Sequence, residues 1–201
     1  MRLRTLRPVL ISIAAILVSA IVSAQSKSDP PNAAARGKYL VDIMSCNDCH
    51  TPFKMGATGP EPDMTRMLSG HPAAMMLPSP PAAAGPWIWG GVATNTAFWG
   101  PWGVSYAANL TPDKNSGLGI WTESMFVQAM RAGKHMGTSR TIQPPMPWPW
   151  IGKATDADLK AIFAYLKSIP PVANRVPDWQ EPKGGPAAPP ASKPAAAPKK
   201  S

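Results

Sequence analysis

Three stretches of the chain carry apolar residues at helical spacing. In the first, about 33–45, Leu40, Ile43 and Met44 group on one side. The second opens at Thr122, an N-cap with Glu123 in the first turn, where a negative charge suits the helix dipole. It places Phe126, Ala129, Met130 and Gly133 at the i, i+3, i+4, i+7 positions of one face. The third is the clearest. Thr155 and Asp158 form a Thr-x-x-Asp capping box, Leu159, Ile162, Phe163, Leu166 and Ile169 keep the period, and Pro170-Pro171 stops it. From Pro52 to Tyr106 no period survives for more than a few residues, and Pro, Gly, Met and Trp crowd the chain. Loops that long are uncommon in a compact domain. Trp87, Trp89, Trp99 and Trp102 argue against full disorder, because such rings pack when they can. The pattern predicts three helices, with a long irregular segment after the first that is ordered against a cofactor or a partner.

The two ends differ from this core. Arg2, Arg4 and Arg7 precede an apolar run from Val9 to Val22, broken only by Ser12 and Ser19, and Val22-Ser23-Ala24 offers small residues for cleavage. The run is shorter than the ~20 residues of a membrane span. Residues 1–24 therefore read as a secretory signal and 25–32 as a linker, with an uncleaved membrane anchor as the alternative. The segment 178–201 is Pro, Ala, Gly and Lys with almost nothing to bury, and predicts a disordered tail. Its Lys193, Lys199 and Lys200 could touch anionic lipid or a partner, or simply be solvated.

Charge narrows the partners. Three of the twenty basic residues lie in the signal, which leaves seventeen against eleven acidic. No Lys/Arg run is dense enough for nucleic acid. A moderate positive excess suits steering toward an acidic protein partner, and equally suits solubility alone.

Both cysteines fall in Cys46-Asn47-Asp48-Cys49-His50, a Cys-x-x-Cys-His element of the kind that attaches c-type haem. Each thiol adds across one porphyrin vinyl group, and the two-residue spacer presents both sulfurs to one edge of the ring. The adjacent imidazole then supplies a proximal iron ligand. A structural zinc site would need about four Cys or His ligands, with only His71 and His135 to complete it. A thioredoxin-like dithiol would want strand–helix alternation, and none flanks the run. Export supports haem, since covalent attachment takes place outside the bacterial cytoplasm. His71 with Met64, Met67, Met75 and Met76 could suit soft copper, although loop methionines more often pack.

A six-coordinate electron-transfer haem needs one more ligand, most often Met or His. In Pro144-Pro145-Met146-Pro147 the thioether is carried by a stiff, extended loop, because proline fixes φ and has no N–H. Met146 is the candidate, against the alternative that it fills core. His135, near the end of the second helix, competes as a ligand or is a surface imidazole.

These motifs occur in a familiar order. Gly37-x-Tyr39-Leu40, CNDCH-Thr51-Pro52 and Asn109-Leu110-Thr111-Pro112-Asp113 are followed by Gly117-x-Gly119-x-Trp121-Thr122, Arg131-x-Gly133, Met146-Pro147 and Ala164-Tyr165-Leu166. Over roughly 33–177 the chain resembles class I monohaem cytochromes c. Within that class it is most similar to domains in the cytochrome subunits of membrane-bound alcohol, gluconate and aldehyde dehydrogenases. The resemblance implies an all-α class I cytochrome c fold, with its first and last helices crossing near Gly37 and Tyr165. It implies one haem c bound through Cys46 and Cys49, with His50 and Met146 as axial ligands. It places Asn109 and Trp121 against the haem edge and makes Arg131 a propionate partner. The chain departs from those subunits in its Trp/Met/Pro-rich insert and in having one haem motif where they usually carry three.

The expected function is one-electron transfer in the periplasm, not enzymatic catalysis. A dehydrogenase, a quinol-oxidising complex or a terminal oxidase would be the redox partner. The alternative is a haem enzyme or gas sensor, peroxidase-like, with an open distal face.

Overall fold

A computed structural model of the chain describes residues 33–75, 77 and 88–182. The expected signal and linker, Met76, Trp87 and the tail from 183 onward lie outside the described residues. None of the described helices is long and apolar enough to cross a membrane.

Two helices form the frame. Helix α1 spans Ala33–Ile43 and buries Gly37, Leu40 and Val41. Ile43 was expected beside Leu40 but is exposed, and Val41 takes the buried place. The packed face is the i, i+3, i+4 set from Gly37, and Ile43 falls off that stripe. A Cβ at Gly37 would overlap the Ala161 carbonyl and lie 2.8 Å from the Cβ of Tyr165. Only glycine lets the two helices cross at that distance. The crossing partner, α5, spans Asp156–Ser168 and buries Leu159, Ala161, Ile162, Phe163 and Leu166. Its Thr155 cap forms, with the hydroxyl accepting from the Asp158 amide at 3.1 Å. The Asp158 carboxylate accepts from Arg36 Nε at 3.0 Å, which ties the cap to α1.

A turn at Met44-Ser45, with Ser45 left-handed at φ 56°, separates α1 from a short helix α2, Cys46–His50. The haem motif thus forms its own helical turn instead of ending the first helix. Helix α3, Glu123–Ala132, is capped by Thr122, whose hydroxyl accepts from the Met125 amide. It ends at Gly133 in the left-handed conformation, φ 64°. The short helix α4, Trp148–Ile151, follows the proline loop. Leu40, Leu159, Ile162, Leu166, Phe126 and Met130 make the core that these helices share.

The fold is not all-α. Strand β1, Phe53–Met55, pairs antiparallel with β2, Pro60–Pro62. A second sheet runs β3–β4–β5 (Gly90–Gly91, Ala97–Gly100 and Gly103–Tyr106), all antiparallel. Short pieces of the segment expected to be irregular are therefore hydrogen-bonded ladder. Strands of two to four residues are too short for an alternating pattern to register, so periodicity could not disclose them. The segment after α5 supports this sheet. Gln180 exchanges backbone hydrogen bonds with Val104 at 2.9 and 3.0 Å, and Trp179 Nε1 donates to the Trp102 carbonyl at 2.7 Å. Trp179 thus finds a partner that composition could not reveal.

Candidate haem site

The short helix α2 places Cys46 and Cys49 one turn apart, both half-buried and with free thiols. Burial pushes the Cys46 thiol up to about 11, and burial likewise raises Cys49. Both thiols are free, as addition across two vinyl groups requires. Thr51 caps the turn. Its hydroxyl donates to Asn47 Oδ1 at 2.7 Å and accepts from the Leu68 amide at 2.8 Å.

His50 closes α2 and is buried. Its Nδ1 donates to the Ala108 carbonyl at 2.7 Å. That bond assigns the proton to Nδ1 and leaves Nε2 as the lone-pair nitrogen, the arrangement of a metal-ligating imidazole. Burial holds the His50 pKa below its ordinary value, partly offset by the bond to Ala108. The His50 carbonyl in turn accepts from the Gly70 amide at 2.7 Å. Gly70 has φ 76°, and a Cβ there would press on the Ala107–Ala108 backbone, so glycine is required where the two segments meet. Beside it, the Ser69 hydroxyl is the one buried side-chain polar atom without a partner among the described residues. Two unpaired thiols, an imidazole in the ligating tautomer and an orphaned hydroxyl alongside fit a covalently held haem. Cys46, Cys49 and His50 would hold it.

Met146 lies in the loop between the turn at His135–Gly137 and α4, half-buried against the core. Its amide donates to the Gln143 carbonyl at 3.3 Å. Next to it, Trp148 lies over Gly133, where a Cβ would collide with the indole. Trp121 is half-buried against the same core and meets His135 edge-on, with ring centroids 5.0 Å apart. His135 is therefore part of an aromatic contact beside the proline loop and not a free surface imidazole.

Two other expected site residues are engaged within the protein. Asn109 is buried. Its Oδ1 accepts from the Thr111 amide and hydroxyl at 2.9 and 2.7 Å, and its Nδ2 donates to the Val172 carbonyl at 2.8 Å. It knots the Asn109–Asp113 loop to the chain after α5. Arg131 lies on the exposed side of α3, where it meets the Gly152 carbonyl and pairs with Asp156 at 2.5 Å. The structure thus brings Arg131 to the start of α5, where it ties α3 to the α4–α5 junction.

His71 is fully buried, with Nδ1 2.9 Å from Thr96 Oγ1 and Nε2 3.2 Å from the Met75 carbonyl. Both ring nitrogens are bonded to protein. Among the described residues no group of three or more His, Cys, Asp or Glu could hold a metal ion. Sequence reasoning missed the Ala108 carbonyl and Ser105, which reaches the proline loop (its hydroxyl is 2.5 Å from the Pro144 carbonyl). Neither carries a signal in the sequence, since one is backbone and the other an ordinary strand serine.

A family model described as "Cytochrome c" matches residues 34–170. The chain is 30% identical over 165 residues to the gluconate 2-dehydrogenase cytochrome c subunit of Pantoea cypripedii, covering 81% of this chain and 30% of that protein. It is 29% identical over 146 residues to the cytochrome c subunit of the quinone alcohol dehydrogenase of Gluconobacter oxydans, covering 71% and 23%. It is 27% identical over 173 residues to the fructose dehydrogenase cytochrome subunit of Gluconobacter japonicus, covering 83% and 29%. The matched part is less than a third of each of these relatives. The family match takes in both free thiols, the oriented imidazole and the helix crossing at Gly37, and the chain belongs to the cytochrome c family, whose members carry covalent haem c for electron transfer.

Proposed function

We propose that this chain passes single electrons through one haem c, bound by Cys46 and Cys49 and ligated by His50 and Met146. The observation that carries the reading is the 2.7 Å bond from His50 Nδ1 to the Ala108 carbonyl. It fixes the ring, raises its basicity and turns Nε2 to the metal side. The haem, when bound, supplies the one-electron redox centre, and His/Met ligation raises its potential relative to other axial sets. The protein's own part is to hold both ligands, exclude water and leave a haem edge near the surface.

Under this proposal residues 1–24 act as an export signal and the protein works in the periplasm. The relatives are named as subunits of dehydrogenases, so the electron donor proposed here is a dehydrogenase. A quinol-oxidising complex or a terminal oxidase takes the complementary place in the chain. A docking face is available near the proline loop. Trp150, four residues after Met146, is 69% exposed, with Lys153 Nζ 4.2 Å above its ring. An exposed indole beside a cation suits an acidic-rimmed partner.

Absorption spectra of the purified holoprotein test the reading. A low-spin oxidised form with the weak far-red band of a thioether–iron bond is expected, and Met146→Ala should abolish that band. High-spin iron with ready carbon monoxide binding in the wild type would instead establish a haem enzyme or gas sensor with an open face.

A further inference from the structure

We propose that Ser105 is a positioning residue for the sixth ligand, and that β5 and the two residues after it form a strut that supports both axial ligands. This rests on the reading of Met146 as that ligand. Pro144, Pro145 and Pro147 have no N–H, so this stretch can be anchored from outside only through its carbonyls and side chains. Among the described residues, one hydrogen bond reaches Gln143–Met146 from another element, and it comes from Ser105 to the Pro144 carbonyl at 2.5 Å.

The serine is built for that bond. It is buried at 8% exposure, and Trp102 Nε1 donates to its Oγ at 3.2 Å. The hydroxyl has one proton to give, and Pro144 at 2.5 Å takes it in preference to the Phe98 carbonyl at 3.4 Å. Trp102, Ser105 and Pro144 form a directed relay that ends two residues before Met146.

The chain leaving that strand serves the proximal side. Three residues beyond Ser105, the Ala108 carbonyl accepts from His50 Nδ1. Three steps of extended chain cover at most about 10 Å. One short stretch, 105–108, therefore touches the supports of both axial ligands. β4 pairs with its start, the Ala107 amide donates to the Thr96 carbonyl, and the residue just before it, Val104, exchanges paired bonds with Gln180. The Trp-rich insert and the segment around Gln180 consequently act as the abutment of the ligand loop. A strut of this kind keeps the thioether at the metal in both oxidation states, which a fast one-electron carrier needs.

The test uses the full-length holoprotein and four variants: Ser105→Ala, Ser105→Thr, Trp102→Phe and Met146→Ala. Two readouts are compared with global unfolding by circular dichroism: the denaturant or pH at which the far-red band is lost, and the midpoint potential. Ser105→Ala is expected to raise the equilibrium constant for thioether loss about tenfold, the effect of losing one hydrogen bond and leaving a carbonyl unpartnered. It should also lower the potential, while Ser105→Thr, which keeps the hydroxyl, restores both. Trp102→Phe should move both in the same direction by a smaller factor, and it decides the matter if Ser105→Ala fails to accumulate. If band loss and potential match wild type in Ser105→Ala, or in Trp102→Phe where that variant decides, the proposal is overturned. A wild type with no far-red band, or a Met146→Ala variant that keeps it, would overturn the ligand reading instead.

Discussion

A single methyl group at position 37 should loosen the crossing of α1 and α5, and two opposing effects set the size of the change. Replacing an interior helical glycine by alanine ordinarily stabilises a helix by about 1 kcal/mol. Here the new Cβ would overlap the Ala161 carbonyl oxygen and lie 2.6 Å from its carbon, against 3.4–4 Å for ordinary contact. The obstruction is backbone, with no flexible side-chain end to swing away, so the helices must separate by the better part of 1 Å. A gap of that order forfeits a quarter to a half of each dispersion contact along the seam, where Leu40, Val41, Leu159, Ile162 and Leu166 meet. Overpacking of this kind costs about 1–3 kcal/mol, and a backbone clash belongs at or above the upper end. The net loss for Gly37→Ala is about 2 kcal/mol, or roughly 4–8 °C in Tm for a chain of this length. Thermal unfolding of the holoprotein by far-UV circular dichroism measures it. A Tm equal to or above wild type would refute the reasoning, showing that helix propensity outweighs the crossing.

Gly133→Ala combines a left-handed φ of 64° with a collision against the Trp148 ring. It should cost about 1–2 kcal/mol from the backbone alone and weaken the far-red band, both read in one urea titration. Burial holds His71 neutral, its pKa below the ordinary imidazole value. Its contribution is therefore present above the unfolded pKa and lost as pH falls, and His71→Gln should flatten the decline in stability measured between about pH 8 and 5. Hydrogen bonding to Arg36 holds the Asp158 carboxyl below its usual range, so that stabilisation is complete above the unfolded value near 3.8 and lost as pH falls through the folded one. Asp158→Asn should remove that acid-side slope from urea midpoints, and an unchanged slope would show the Arg36 pair to be inert.

What could be read from the chain is what is decided locally. The Cys46-x-x-Cys49-His50 spacing is one helical turn, so the attachment chemistry is complete within five residues. The caps at Thr122 and Thr155 satisfy amides three residues away, and the buried faces of α3 and α5 follow from the 3.6-residue period. Tertiary structure alone decided the rest, because each partner is a backbone group or a distant residue. Every residue carries the same carbonyl, so nothing in the sequence marks Ala108 as the acceptor that orients His50 from 58 positions away. Ser105 gains its role only because β5 passes the proline loop, 39 positions later. Arg131 and Trp179 find their partners, Asp156 and the Trp102 carbonyl, through folding rather than through any motif. The sequence by itself determined a Cys46-x-x-Cys49-His50 motif that fits a covalent haem c. Which groups orient His50 and reach the proline loop was decided by chain segments meeting in space, since hydrogen bonds between distant residues leave no periodic or compositional trace.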